Sequence, residues 1–135
     1  AALEGLAAAL AAERITDDEL DEMERHLAGK AEAIANNDME KLVDVDTRFH
    51  ELIYQASRNE RLSAIISNLR EQIQRCRTTS LSVPGRMQQS MQEHRAIVEA
   101  IQARDTQLAR QMAQDHIENA ENILMESLKR EGLPR

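Results

Sequence analysis

Apolar residues recur at three- and four-residue spacings through most of the chain, and no segment shows the two-residue alternation of a half-buried strand. The pattern predicts an all-α protein, an antiparallel bundle of about six helices. The first runs from the chain start to about Arg14. Thr16 followed three residues later by Glu19 reads as a capping box opening a second helix towards Ala35. Asn36-Asn37-Asp38 interrupts it, with Asp38 placed to cap a third helix bearing Leu42, Val45, Phe49, Leu52, Ile53 and Ala56. Asn59 is expected to cap a fourth, whose Leu62, Ile65, Ile66, Leu69 and Ile73 share a face. Ser82-Val83-Pro84-Gly85 is a turn. A fifth helix carries Met87, Met91, Val98 and Ile101, and Asp105 or Thr106 opens a sixth that fades near Gly132 and Pro134. Connections of a few residues favour antiparallel neighbours.

Composition narrows the possibilities. At 135 residues the chain makes one domain, and its few breakers (four Gly, two Pro) leave no Gly-rich loop to cradle a phosphate. A net charge of −7 with 1% aromatic residues argues against a nucleic-acid surface on this chain. The single Cys76 excludes an internal disulfide and suits the cytoplasm; near Ile73, it reads as a small core residue. No apolar run approaches the ~18 residues of a membrane span. The Ala-rich start contains Glu4 and lacks a basic region, so it is not a signal peptide; helical without a cap ahead of it, it reads as a continuation from an upstream segment.

The candidate chemistry lies in three histidines and one aspartate. His94 falls in the middle of the fifth helix's apolar face and His116 within that of the sixth. Asp46 and His50, four apart, sit on the shoulder of the third helix's stripe, where a carboxylate and an imidazole can converge on one ion. Folding the chain at its turns brings all four within about one helical turn, ~5 Å, of a common height. Three imidazoles and a carboxylate suit a divalent transition metal, zinc or nickel foremost. The same residues could equally form a buried His–Asp hydrogen-bond network without an ion. His26 lies ~100° off its helix's stripe and is set aside.

Arg70 falls at the height of Asp46 and His94, and Arg77 leans inward about two turns away; a guanidinium there would pair with an anionic effector. The third helix carries HELIY at 50–54, so it lacks the HExxH of zinc proteases, and no Glu stands three before a His as in di-iron bundles. A metal-dependent enzyme remains a rival reading, with Glu51 and Glu93 the only adjacent acid–base candidates, and a purely structural helical domain is a third.

These residues also carry a resemblance. DVDTRFHELIYQASRNERL at 44–62 and SVPGRMQQSMQEHRAIVEAIQARD at 82–105 resemble the DxxFHxxI…N and EHxxIxxAIxxxD segments of the FCD domain, the C-terminal effector-binding domain of FadR-branch GntR-family transcriptional regulators. AxxxxxxHI at 109–117 and ALEGLAAALAAERIT at the start are similar to further segments of it. The resemblance implies a six- or seven-helix bundle that is not an enzyme and whose metal ligands are Asp46, His50, His94 and His116. It further implies a small organic acid as effector, a homodimer, and operator DNA bound by an N-terminal winged helix-turn-helix absent from this chain.

Overall fold

Three of the joints between helices share one construction. Asn37, Arg58 and Arg104 each adopt a left-handed conformation, with φ of 52°, 58° and 56°. Each turns the chain so that the preceding helix's last carbonyls are met from beyond its end, as when Asp38 N–H reaches Ala33 O and Asp105 N–H reaches Ala100 O. The next residue, Asp38, Asn59 or Asp105, then accepts the N–H three residues on, from Lys41, Leu62 and Leu108 respectively. A helix stop and a helix start are thus packed into two residues, which folds the chain back sharply. The capping box at Thr16 and Glu19 forms as expected, and Glu19 also holds the Arg58 guanidinium at 2.8 and 2.9 Å.

A computed structural model describes residues 2–131, and within them the chain forms seven helices and no strand. They are α1 (Ala2–Arg14), α2 (Asp17–Ala35), α3 (Met39–Ala56), α4 (Glu60–Asn68), α5 (Arg70–Leu81), α6 (Arg86–Gln102) and α7 (Thr106–Arg130). The expected fading near Gly132 and Pro134 lies outside the described residues. No described helix is long and apolar enough to cross a membrane.

The single fourth helix expected from periodicity is two. At Leu69 the backbone leaves helical geometry (φ −103°, ψ 4°), and its N–H bonds Ile66 and Ser67 rather than the carbonyl four residues back. No Gly or Pro marks the break. The break lies in the wall of a cavity that Ile66, Leu69 and Ile73 line from the α4–α5 limb.

The core explains the alanines. Ala7, Ala8, Ala11 and Ala12 of α1 are fully buried, as are Ala109 and Ala113 of α7, and these helices pack directly together. Small side chains let two backbones approach closely, and at Gly5 an added Cβ would come within 2.7 Å of Gln114 Cγ. The larger apolar volume comes from Met23, Phe49, Ile53, Ile97, Val98 and Ile101. Arg104 ties the far end by donating to the Ala12 and Ile15 carbonyls, which the α1 C-terminus would otherwise leave unpaired. Helix α3 packs against α1, α2, α4 and α5, so side chains along it can meet those of most of the bundle.

Candidate metal and effector site

Asp46 and His50 stand one turn apart on α3. His94 enters from α6 and His116 from α7, and all four residues are at least 96% buried. The three imidazoles each offer a nitrogen within 4.8 Å of the others. His94 Nε2 lies 3.1 Å from His116 Nε2 and 3.5 Å from Asp46 Oδ1, and His50 Nε2 lies 3.8 Å from Asp46 Oδ2. The structure therefore brings together the four residues singled out by helix height.

The opposite ring nitrogens are anchored. His50 Nδ1 meets Glu4 Oε1 at 2.6 Å, and His116 Nδ1 meets Glu93 Oε1 at 2.7 Å. A carboxylate on Nδ1 keeps the proton there and turns the Nε2 lone pair inward, as behind histidine metal ligands. Glu4 also accepts from the Tyr54 hydroxyl, and Glu93 from Arg86 and Asn119. Phe49 stacks flat on the His94 ring, with centroids 4.2 Å apart.

His94 Nδ1 has a different partner. Lys30, 1% exposed, reaches it at 3.1 Å and reaches Asp46 Oδ1 at 2.8 Å and Ser90 Oγ at 2.7 Å. These three acceptors match the three hydrogens of an ammonium. Donation from Lys30 leaves the proton of neutral His94 on Nε2, facing His116. An ion taken at His94 Nε2 must therefore release a proton.

The charges follow from burial and pairing. Burial holds His94 well below the ordinary imidazole value, with Lys30 and the other two imidazoles acting in the same direction. Burial likewise lowers His116, against the opposing bond from Glu93. Burial would raise Glu4, but His50 and Tyr54 outweigh it and bring its carboxyl down to about 2. Asp46 resists burial in the same way, held below its ordinary value by Lys30, His50 and Arg77. The carboxylates are thus charged and His94 and His116 neutral at pH 7; His116 can ligate through Nε2 in that state, whereas His94 must first give up its Nε2 proton.

Of the two arginines weighed for an anionic effector, Arg77, expected about two turns away, lies beside Asp46. Its Nε lies 3.3 Å from Asp46 Oδ2 and its Nη1 donates to Thr47 Oγ1 at 3.1 Å. Arg70 is elsewhere: half exposed, it pairs with Glu51 at 2.8 Å and lines a separate groove. A straight fourth helix would set residue 70 level with Asp46; the helix breaks at Leu69, and Arg77 stands at Asp46 instead. Cys76 is exposed on the cavity side of α5, not packed in the core. His26 is partly exposed near Glu22, away from the cluster.

Asp46, His50, His116 and Arg77 face a cavity of ≈ 400 Å³ lined by α1, α3, α4, α5, α6 and α7. His94 lies behind them.

The profile of the FCD domain matches residues 1–119. The chain belongs to the FCD domain family. It is similar to the galactonate operon transcriptional repressor of Escherichia coli K12, 35% identical over 120 residues, covering 86% of this chain and 50% of the repressor. It is also similar to the HTH-type transcriptional regulator YdhC of Bacillus subtilis 168, 27% identical over 115 residues, covering 84% of this chain and 51% of that protein. The chain thus spans about half the length of these curated relatives. Among solved structures it shares its fold with E. coli McbR/YncC, with a TM-score of 0.81 at 24% identity over 92% of this chain and 63% of that one. The Streptococcus agalactiae GntR structure gives 0.76 at 24% identity over 88% and 53%. An FCD domain is the effector-binding part of GntR-family transcriptional regulators and not an enzyme, which removes the metal-dependent-enzyme reading.

Lys30, Glu4 and Tyr54 were not singled out in the sequence as site residues. Lys30 had a signal: it continues the Met23, Leu27, Ile34 stripe of α2, where an unpaired ammonium would be costly. Glu4 likewise lies one turn from the buried Ala7 and Ala8.

Proposed function

We propose that this domain senses a small carboxylate with the help of a divalent transition metal, zinc or nickel, held by His50, His94, His116 and Asp46. The carrying observation is the convergence of three imidazoles around one point, two of them backed by carboxylates on Nδ1. The donor set of three nitrogens and one oxygen suits such an ion. The ion would supply a fixed positive charge that orients a carboxylate. Arg77, beside Asp46 in the cavity wall, would bind the same anion by charge-assisted hydrogen bonds.

In the whole regulator, a dimer of this domain would be coupled to winged helix-turn-helix domains in an upstream segment. Effector binding would bias their arrangement on operator DNA, a two-state coupling between distinct sites. Helix α1 supports the coupling: Glu4 on this helix holds the ring of His50.

Metal removal tests the reading. At a free zinc concentration of ~100 times the dissociation constant, linkage adds ~2.7 kcal/mol of stability. For a domain of this size that raises the melting temperature by roughly 10 °C over the chelated protein. His94→Ala and His116→Ala should abolish the rise and His26→Ala should keep it. Equal responses in all three variants would remove the metal site. A thermal-shift screen of small organic acids on the zinc-loaded domain tests the effector.

A further inference from the structure

The cavity beside the histidine cluster has a mixed wall. Arg77, Ser80 and Arg86 line it with the site residues, and the rest is mainly aliphatic, formed by Leu3, Ile66, Leu69, Ile73, Ile117 and Leu124, with Gln72 and Glu121 among them. Two of the polar groups have unused hydrogen-bonding capacity. Ser80 Oγ and Arg86 Nε are buried without a hydrogen-bond partner among the described residues, although their residues are only 5% and 2% exposed.

Ser80 differs from its neighbours. Thr78, Thr79 and Ser82 each return their hydroxyl to a carbonyl one turn back along α5, at 2.9, 3.2 and 2.6 Å. Ser80 makes no such bond, and it lines the cavity one turn beyond Arg77. Arg86 is locked in place by its terminal nitrogens, which grip Glu93 at 2.9 and 3.0 Å, while its Nε is left over. A buried donor without a partner is costly, and such groups in a cavity wall commonly meet a ligand. Leu3 and Leu69 also line the cavity yet remain 46% and 42% exposed, apolar surface that nothing in the described fold covers.

We infer that the effector is an amphipathic acid, with oxygens clustered at one end and an aliphatic remainder, rather than a polyhydroxylated sugar acid. This deepens the carboxylate-sensor reading and rests on it. The clustered oxygens meet Arg77, Ser80 Oγ and Arg86 Nε beside the metal site, and the hydrocarbon lies along the Ile66, Ile73, Ile117 and Leu124 wall. Hydroxyls along the tail would have only Gln72 and Glu121 in that wall as partners, so most of them would be buried unpaired, which is unfavourable. The cavity volume is at the lower end of the ~300–1,000 Å³ of small-molecule sites.

The test is calorimetry on the zinc-loaded domain with 2-hydroxyhexanoate and gluconate, which share a six-carbon chain and a 2-hydroxy acid head and differ in the tail. 2-Hydroxyhexanoate should bind at least about tenfold more tightly. Leu124→Gln should weaken 2-hydroxyhexanoate and leave lactate, which has no tail to reach the wall, unchanged. Ser80→Ala should weaken 2-hydroxyhexanoate and lactate alike. Gluconate binding as tightly or more tightly overturns the inference and leaves the carboxylate-sensor reading standing. If neither acid nor lactate binds while zinc still stabilises the fold, the carboxylate-sensor reading fails, and the inference with it. If none of the acids binds and Leu124→Asp lowers the sedimenting mass, the aliphatic wall belongs to a second copy of the chain.

Discussion

Replacing Lys30 with methionine removes a buried charge while keeping most of the stem that packs in the core. The ammonium has three partners within 3.1 Å, and its loss strips Asp46 Oδ1 of its nearest cation. Breaking one side of a buried ion pair costs ~3–5 kcal/mol because the other charge stays buried. Arg77, 3.3 Å from the second oxygen of Asp46, offsets part of that and sets the expectation at the lower end. About 3 kcal/mol corresponds to a fall of roughly 12 °C in melting temperature for a domain of this size. Zinc should change the result, because an ion bound to Asp46 supplies the positive charge that Lys30 no longer does. Melting followed by circular dichroism should show the full deficit in EDTA and less than half of it in saturating zinc. A fall of under about 3 °C in EDTA would show that the Lys30–Asp46 pair adds little. Equal deficits in EDTA and zinc would show that Asp46 is not a ligand.

Further outcomes follow from the same geometry. Arg77→Ala should weaken a carboxylate effector by ~10–100-fold, from the ~1.5–3 kcal/mol of a charge-assisted bond, with zinc affinity much less affected; Arg70→Ala should match the parent, and titration calorimetry separates the two. Glu4→Gln keeps a side chain of similar size against His50 Nδ1 but loses the carboxylate, so zinc affinity should drop by ~10–100-fold in a competition titration. In the metal-free domain, His94 and His116 have folded values lowered from 6.5, so the unfolded chain binds more protons below that pH. Glu4 and Glu93, lowered from 4.5 to about 2, add a second loss as pH falls from 4.5 towards 2. Urea midpoints should therefore decline from pH 7.5 to pH 5 and more steeply below 4.5; a midpoint that is level or rising from 7.5 to 5 would contradict the buried neutral histidines.

Local rules made most of the fold readable. Asp38, Asn59 and Asp105 cap because a short oxygen-bearing side chain before an apolar run satisfies free N–H groups, whatever the tertiary context. The His and Asp positions were readable because helical geometry converts residue number into height and direction. The break at Leu69 was not, because Asn68-Leu69-Arg70 contains no Gly or Pro to mark it. That omission misplaced Arg70 and Arg77 by two turns. Lys30, Glu4 and Glu93 are polar groups whose partners come from distant parts of the chain, such as Glu4 with His50, and single-helix periodicity carries no information about such pairs.

The α4–α5 limb is only lightly embedded. Helix α4 buries Leu62 alone and α5 buries Ser80 and Leu81, whereas α3 buries nine residues. Segments with few buried contacts open at lower free energy than the cores they cover. The α4–α5 limb, which forms part of the cavity wall, is therefore expected to open at lower free energy than α3, which carries Asp46 and His50. A molecule in the cavity would touch Ile66, Leu69, Ile73 and Arg77 of this limb, so a lightly embedded part of the domain would gain contacts when the cavity fills.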